Sequence, residues 1–337
     1  MGNSCREGNM EKGTSKIPKV LNHLLKGSET SIAVILLIIC IAMSFLSPYF
    51  LKPNNIMNIL RQISNMGIIS VGMAMVIIIG GIDLSVGAVL AFSSCMAAYL
   101  AQMVNPWLAV LISVVLSGFI GLINGFVSVK IGVASFIGTL GMQNIARGIA
   151  YLITGGIPIQ FQNQVCFLGG GAVKLTEDIS LPVSVILMFA IYFLGILVMK
   201  KTVFGRNLYA VGDNEKSARL SGINTDKVRM LAFAITGALS GLVGIINAGN
   251  LTTAEASAGT SLEQDCIAAV VIGGISMTGG EGSMVGILFG AAIMGVIKNG
   301  FILLNFPAYL QTLTIGFLII LAVSIDCIAK KRKALKV

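Results

Sequence analysis

The side chains most able to do chemistry in this sequence are a few carboxylates, amides and cations set among apolar runs. The segment GGIDLSVG, Gly80 to Gly87, places Asp83 and Ser85 between glycines at a helix break. An ionised carboxylate at bilayer depth costs about 2.5 to 3.5 kcal/mol on insertion scales, so it must face a polar cavity, a helix end or a cation. Two readings follow: the pair caps the next helix, because short polar side chains satisfy free backbone N–H groups, or it contacts a solute. The stretch SLEQDCIAA places Glu263 and Asp265 two positions apart, a spacing that shares no helical face and argues against a paired acid and base. One of them is expected to accept from solute hydroxyls or to meet a basic residue of a docking protein; simple capping at the membrane interface is the alternative.

Asn124, Asn144, Asn247, Asn250 and Asn299 offer donors and acceptors together, suited either to a polyhydroxylated solute or to bonds between neighbouring helices. Arg147 and Lys298 are the clearest cations within apolar runs, and each has to snorkel or pair with an acid. The only histidine is His23, in the polar N-terminal stretch, so histidine relays and histidine metal clusters are not expected in the apolar region. Six cysteines show no CxxC spacing and read as small hydrophobes.

The elements that must hold these groups are membrane spans. Of 337 residues 55% are hydrophobic and 11% charged, against about 25% charged in soluble domains, and the mean hydropathy is +0.91. A water-soluble enzyme and a disordered regulator are excluded. The predicted fold is all-α and polytopic, with about ten transmembrane helices, some broken by glycine. The spans lie near 31–50, 63–80, 86–104, 107–129, 131–153, 181–199, 230–247, 265–277, 284–304 and 308–326. The eighth is short and interrupted by Gly273, Gly274, Gly279 and Gly280; the second ends in Gly80 and Gly81. Short, glycine-broken segments in two halves point to the substrate route of a transporter, here around Gly81 and Gly274.

The charge of +9 would suggest nucleic acid in a soluble protein, but its placement suggests a membrane instead. Five of the 23 Lys and Arg precede Ser28, seven lie from Lys200 to Arg229, and five follow Ala329. Positive segments of this kind stay in the cytoplasm, so both termini are predicted inside. The organisation is a tail at 1–30, a transmembrane region at 31–327 containing a cytoplasmic loop at 200–229, and a basic tail at 328–337. The first span is expected to be retained as an anchor. Pro48, Pro53, Pro106, Pro158, Pro182 and Pro307 fall at predicted outer edges and loops, and the loop from Thr154 to Ser180 is expected to be long and mobile. An internal repeat is suggested by IIGGIDL against VIGGISM and by SGFIGLIN against SGLVGIIN, but the pairs occur in conflicting chain order; convergent glycine packing is the alternative.

Three ordered blocks carry a resemblance. GGIDLSVG, GRNLYAVGDNEKSARLSGI from Gly205 to Ile223, and AGTSLEQDCIAAVVIGGISMTGGEGSMVG from Ala258 to Gly286 resemble the permease subunit of ribose-type ABC importers of simple sugars. The resemblance implies an ABC importer permease fold in the bacterial inner membrane, a homodimer or heterodimer of permeases, a cytoplasmic ATP-binding cassette subunit, and an extracytoplasmic sugar-binding protein. No cofactor is expected on this chain, ATP and Mg belonging to the ATPase subunit; no Gly-Lys dipeptide occurs, so no Walker A loop can form. The chain is therefore expected to be a transport subunit and not an enzyme.

Within the basic loop, Asp213 or Asn214 can cap a short helix from Glu215 to Leu220, and Gly222 supplies a left-handed stop. Ala218 and Leu220 offer small and apolar contact; Glu215, Lys216 and Arg219 offer polar contact. By similarity this is the helix that couples to the ATPase. The expected pathway residues are Gly81, Asp83, Ser85, Asn124, Asn247, Gly274 and Asn299, with Glu263 and Asp265 meeting the binding protein. The expected cargo is ribose or a related pentose or hexose. Alternatives are autoinducer-2 or another sugar-like solute, or an ion-coupled carrier using Asp83.

Overall fold

The computed structural model describes residues 28–161, 163–174 and 180–334; His23 and most of the N-terminal tail lie outside them. Helix α1 (Ser28–Leu46) leads to α2 (Pro53–Ile78), which opens on a proline whose missing N–H costs nothing in the first turn. The segment after α2 leads into α3 (Val86–Leu100). Asn105 caps α4 (Pro106–Phe126) by accepting from the Trp107 N–H, and a π turn to Ile131 ends at Gly132 in the left-handed region. Then come α5 (Ser135–Thr154), β1 (Ile159–Gln160), α6 (Asn163–Gly170), β2 (Ala172–Lys174), β3 (Ser180–Pro182) and α7 (Val183–Lys201). The chain continues through α8 (Val203–Asp213), α9 (Glu215–Leu220), α10 (Thr225–Leu251), β4 (Thr253–Ala254), α11 (Leu262–Ile272), α12 (Met284–Leu303) and α13 (Ala308–Ala334).

The helical prediction stands with a small amendment, since β1 pairs antiparallel with β4 and β2 with β3. Among the described residues, six helices are long and apolar enough to cross a membrane: α1, α2, α4 with its π turn, α7, α10 and α12. The other predicted spans coincide with helices of a different character. At about 1.5 Å per residue, the 11 residues of α11 reach roughly 16 Å, half of a hydrocarbon core of ~30 Å. Hydropathy continues to Met277, but the helix stops at Ile272 because Gly274 turns left-handed (φ +83°). There the N–H of Ile275 bonds back to the Val270 carbonyl, a glycine C-cap.

The same device ends α2, where Gly80 (φ +75°) is left-handed and the Gly81 N–H reaches the Val76 carbonyl. The two GGI runs that match in sequence thus use different glycines for the turn, one position out of register. The other similar pair serves packing: α4 and α10 run antiparallel in close contact, and a Cβ on Gly121 would stand 2.2 Å from the Phe233 carbonyl oxygen. Small residues let these backbones touch.

At the centre is α2, buried at every residue from Met66 to Ile78 and packed against α7, α10, α11 and α12. The outer faces of α1, α4, α5 and α7 carry exposed Leu, Ile and Phe, as expected where lipid is the solvent. The loop expected to be mobile after Thr154 is instead largely built structure in its described residues. Its α6 lies on the end of α10, and Gly169 permits the approach, since a Cβ there would stand 1.8 Å from the Ile246 carbonyl oxygen.

Candidate functional site

The first turns of α2 present a polar stripe within this apolar bundle. Asn55, Asn58, Gln62 and Asn65 recur at intervals of three and four, so they share one helical face. With Arg61 they line a cavity of about 570 Å³, completed by Asn247 and Asn250 of α10 and Asn299 of α12. Asn55 and Asn299 exchange reciprocal amide hydrogen bonds of 3.0 and 2.9 Å across α2 and α12, and Asn55 also donates to the Phe50 carbonyl at 2.9 Å. A second cavity of about 300 Å³ shares Gln62, Asn65 and Asn247 with the first and adds Thr260, Asp265 and Lys298. Through these shared residues the two cavities adjoin between α2, α10, α11 and α12 and together trace a path. Its lining is rich in neutral carboxamides, which both donate and accept, and includes no aromatic ring.

Asp265 and Lys298 form an ion pair between α11 and α12. Glu263 turns the other way, toward α5, where Gln143 donates to it at 3.4 Å. The spacing argument against a shared face therefore holds. The location expected for both carboxylates needs correction: their residues are buried, Glu263 at 7% exposure and Asp265 at 6%, so neither offers its carboxylate to a docking protein. Arg147 donates to the carbonyls of Ala256 and Ala258. It thereby satisfies a non-helical stretch that meets α3 at Gly87, where a Cβ would come within 2.2 Å of the Gly259 carbonyl oxygen. Irregular backbone among apolar helices requires such partners.

Of the expected pathway residues, Asn247 and Asn299 line the path, whereas Asp83, Ser85 and Asn124 form a separate group. The Asp83 carboxylate accepts from the Ser85 N–H at 2.9 Å and from the Ser85 hydroxyl at 2.6 Å, and Asn124 donates to that hydroxyl at 2.9 Å. All three are buried. The neighbouring backbone is satisfied by α5, with Ser135 accepting from the Ile82 N–H and Thr139 from the Leu84 N–H. Asp83 thus organises the turn before α3, and it lines neither cavity. Gly81 packs on Val76 and Phe233, and Gly274 is an exposed C-cap.

Where α2 stops, three elements converge. The Gly280 N–H donates to the Ile78 carbonyl at 2.9 Å, and Gly212 of α8 lies so close that a Cβ would stand 1.8 Å from the same oxygen. Tyr209 of α8 donates to the Gly282 carbonyl at 2.9 Å, and burial pushes its phenol pKa up, keeping it a donor. Ser283 caps α12 and bonds Glu29 of α1.

Next along the chain, α9 has the predicted bounds. Asn214 rather than Asp213 caps it, accepting from the Ser217 N–H at 2.9 Å, and Gly222 (φ +84°) ends it. Ala218 is buried, whereas Lys216, Arg219 and Leu220 face out, Leu220 at 90% exposure. Arg219 bonds Asp226 at 2.9 Å and Glu215 at 3.4 Å, Arg229 bonds Glu215 at 3.0 Å, and Lys130 bonds Asp226 at 2.5 Å. These pairs fasten α9 to the start of α10, and the start of α10 to the π turn that ends α4, as one piece.

Residues 55–323 match the family described as the branched-chain amino acid transport system permease component. The Ribose import permease protein RbsC of Escherichia coli K12 is 38% identical over 302 residues, covering 88% of this chain and 93% of that protein. RbsC of Bacillus subtilis strain 168 is 40% identical over 301 residues, 86% of this chain and 90% of that one. The L-arabinose ABC transporter permease protein AraH of Azospirillum brasilense is 33% identical over 314 residues, covering 92% and 91%. No solved structure matches. A polar path threaded through a multi-pass helical bundle, together with this likeness along nearly the whole chain, identifies the protein as a member of that family of membrane-spanning transport-system permease components.

Proposed function

We propose that this chain is the permease subunit of an ATP-driven importer that carries a simple sugar, ribose or a related pentose or hexose, across the bacterial inner membrane. The observation that carries the reading is the adjoining pair of carboxamide-bearing cavities in a chain similar to ribose permeases. Neutral amides suit a neutral polyol, and the lack of an aromatic platform in the lining suits passage rather than retention. Asn247, Asn299 and Asp265 stand on the route. Asp83, Ser85, Asn124 and Gly81 act behind it, holding the start of α3, while Gly274 sets the end of α11.

The motor is a separate ATP-binding cassette subunit carrying ATP and Mg, and an extracytoplasmic binding protein delivers the sugar. On this reading both termini and α9 face the cytoplasm, in keeping with the basic segments around them. The exposed Leu220 and Lys216 meet the ATPase, the charge pairs of Glu215 and Arg219 pass its motion to α10, and α9 follows α8 directly through Asn214. From α8, motion reaches the ends of α2 and α11 through Gly212 and the Ile78–Gly280 hydrogen bond. The burial of Asp83 away from the path argues against an ion-coupled carrier.

The test is reconstitution of the chain with its ATPase subunit in proteoliposomes, with sugar-loaded binding protein outside. Uptake of labelled ribose, arabinose or allose that requires ATP is expected. Uptake by this chain without nucleotide, or failure to import every sugar offered, would overturn the proposal.

A further inference from the structure

Selection among solutes can be located more finely, on the assumption that the sugar-permease reading is correct. Arg61 and Asn65 stand one turn apart on the same face of α2, and both line the larger cavity. Among the described residues, Arg61 Nε and Asn65 Oδ1 are buried polar atoms with no hydrogen-bond partner. One is a donor and the other an acceptor. Buried groups of this kind are normally satisfied, because an unpaired one forfeits its hydration without compensation. A sugar hydroxyl has the chemistry to answer either atom, accepting from Nε or donating to Oδ1. No described carboxylate forms an ion pair with Arg61, so its charge is not matched by an acid among the described residues. Asn65 also lines the second cavity with Asn247, which places it where the two cavities join.

We propose that Arg61 and Asn65, with Asn247 of α10, form a hydroxyl-reading subsite at which the permease itself selects a neutral monosaccharide in transit. Selection is then shared between the delivery protein and this chain. A solute lacking a hydroxyl that is read leaves its partner atom unpaired, and sites built to bond a hydroxyl discriminate strongly against its absence. The cavity's 570 Å³ lies within the ~300 to 1,000 Å³ usual for small-molecule sites.

The test measures binding to the full chain in lipid nanodiscs by ligand-observed NMR. The probes are D-ribose, L-arabinose, D-allose, the 2-, 3- and 5-deoxy-D-riboses, and ribose 5-phosphate. At least one neutral sugar should bind, and Arg61→Met and Asn65→Leu should each weaken it about tenfold, the scale of one charge-assisted bond. One deoxyribose should bind about tenfold more weakly than ribose to the native chain and lose nothing further in the variants. Arg61→Lys, which keeps the charge without the planar fork, and an unchanged melting temperature separate recognition from misfolding. Sugar binding unchanged in both variants, deoxyriboses equal to ribose, tighter binding of ribose 5-phosphate (an anion site), or no sugar binding at all would each overturn the subsite. Import by the complete transporter separates the two claims. If it imports no sugar the permease reading fails, whereas import with unaltered sugar preference in both variants refutes the subsite alone.

Discussion

Leu220→Ala isolates the docking role assigned to α9. In the free chain Leu220 is 90% exposed, so its truncation should alter folding stability by no more than ~0.5 kcal/mol, the usual range for such surface changes. In a docked complex the same side chain would be covered. Burying a leucine is worth about 1.5 to 3 kcal/mol, and each methylene about 0.8 kcal/mol. Alanine keeps part of this, leaving a net loss of about 1 to 2 kcal/mol, or roughly 5- to 30-fold in affinity for the ATPase subunit. The assay is titration of that subunit onto the chain in nanodiscs, followed by ATP-dependent uptake at limiting subunit. Leu152→Ala is the control, because Leu152 is 84% exposed at the C-terminal end of α5, away from α9. The Leu220 variant should bind weakly and recover uptake when excess subunit is supplied; the Leu152 variant should behave as the native chain. Equal affinity and uptake in both would refute the docking role of α9.

Gly212→Ala would drive a methyl group against the Ile78 carbonyl, and relieving that overlap should cost about 1 to 3 kcal/mol. Sugar uptake should fall while ATP hydrolysis by the assembled complex continues. Lys298→Met leaves Asp265 buried without its cation and should destabilise the chain by about 3 to 5 kcal/mol; adding Asp265→Asn should restore most of the melting temperature in detergent. Asp83→Asn keeps an oxygen that can accept from Ser85, so ATP-driven uptake should persist without dependence on a proton or sodium gradient. Abolished uptake in a folded Asp83→Asn chain would revive the ion-coupled alternative.

The parts of this molecule legible in the sequence are those set by local rules. The bounds of α9 follow from Asn214 before it and Gly222 after it, three residues of cap geometry at each end. The ends of α2 and α11 were signalled by paired glycines, although hydropathy carried the eighth span beyond Ile272 because it does not register where backbone hydrogen bonding stops. The path itself was mostly hidden. The second span was expected to begin at Ile63, since the preceding residues are polar, yet α2 begins at Pro53 and uses those residues as its cavity face. The regular interval of Asn55, Asn58, Gln62 and Asn65 was the available signal. Glu263 and Asp265 were misplaced because the partners that hold them, Gln143 and Lys298, are distant in sequence and come together only through packing.

The predominance of uncharged amides along the path, with Arg61 as the cation at its wider end, bears on how the cell keeps its energy stores while admitting sugar. A protein that opens a wet channel would short-circuit the proton and sodium gradients if that channel attracted small cations. Carboxamide dipoles replace a sugar's water shell well but offer a bare cation no countercharge, the Asp265 carboxylate on the route is already matched by Lys298, and a fixed guanidinium repels a cation outright. The lining that passes a sugar therefore insulates the membrane against leak.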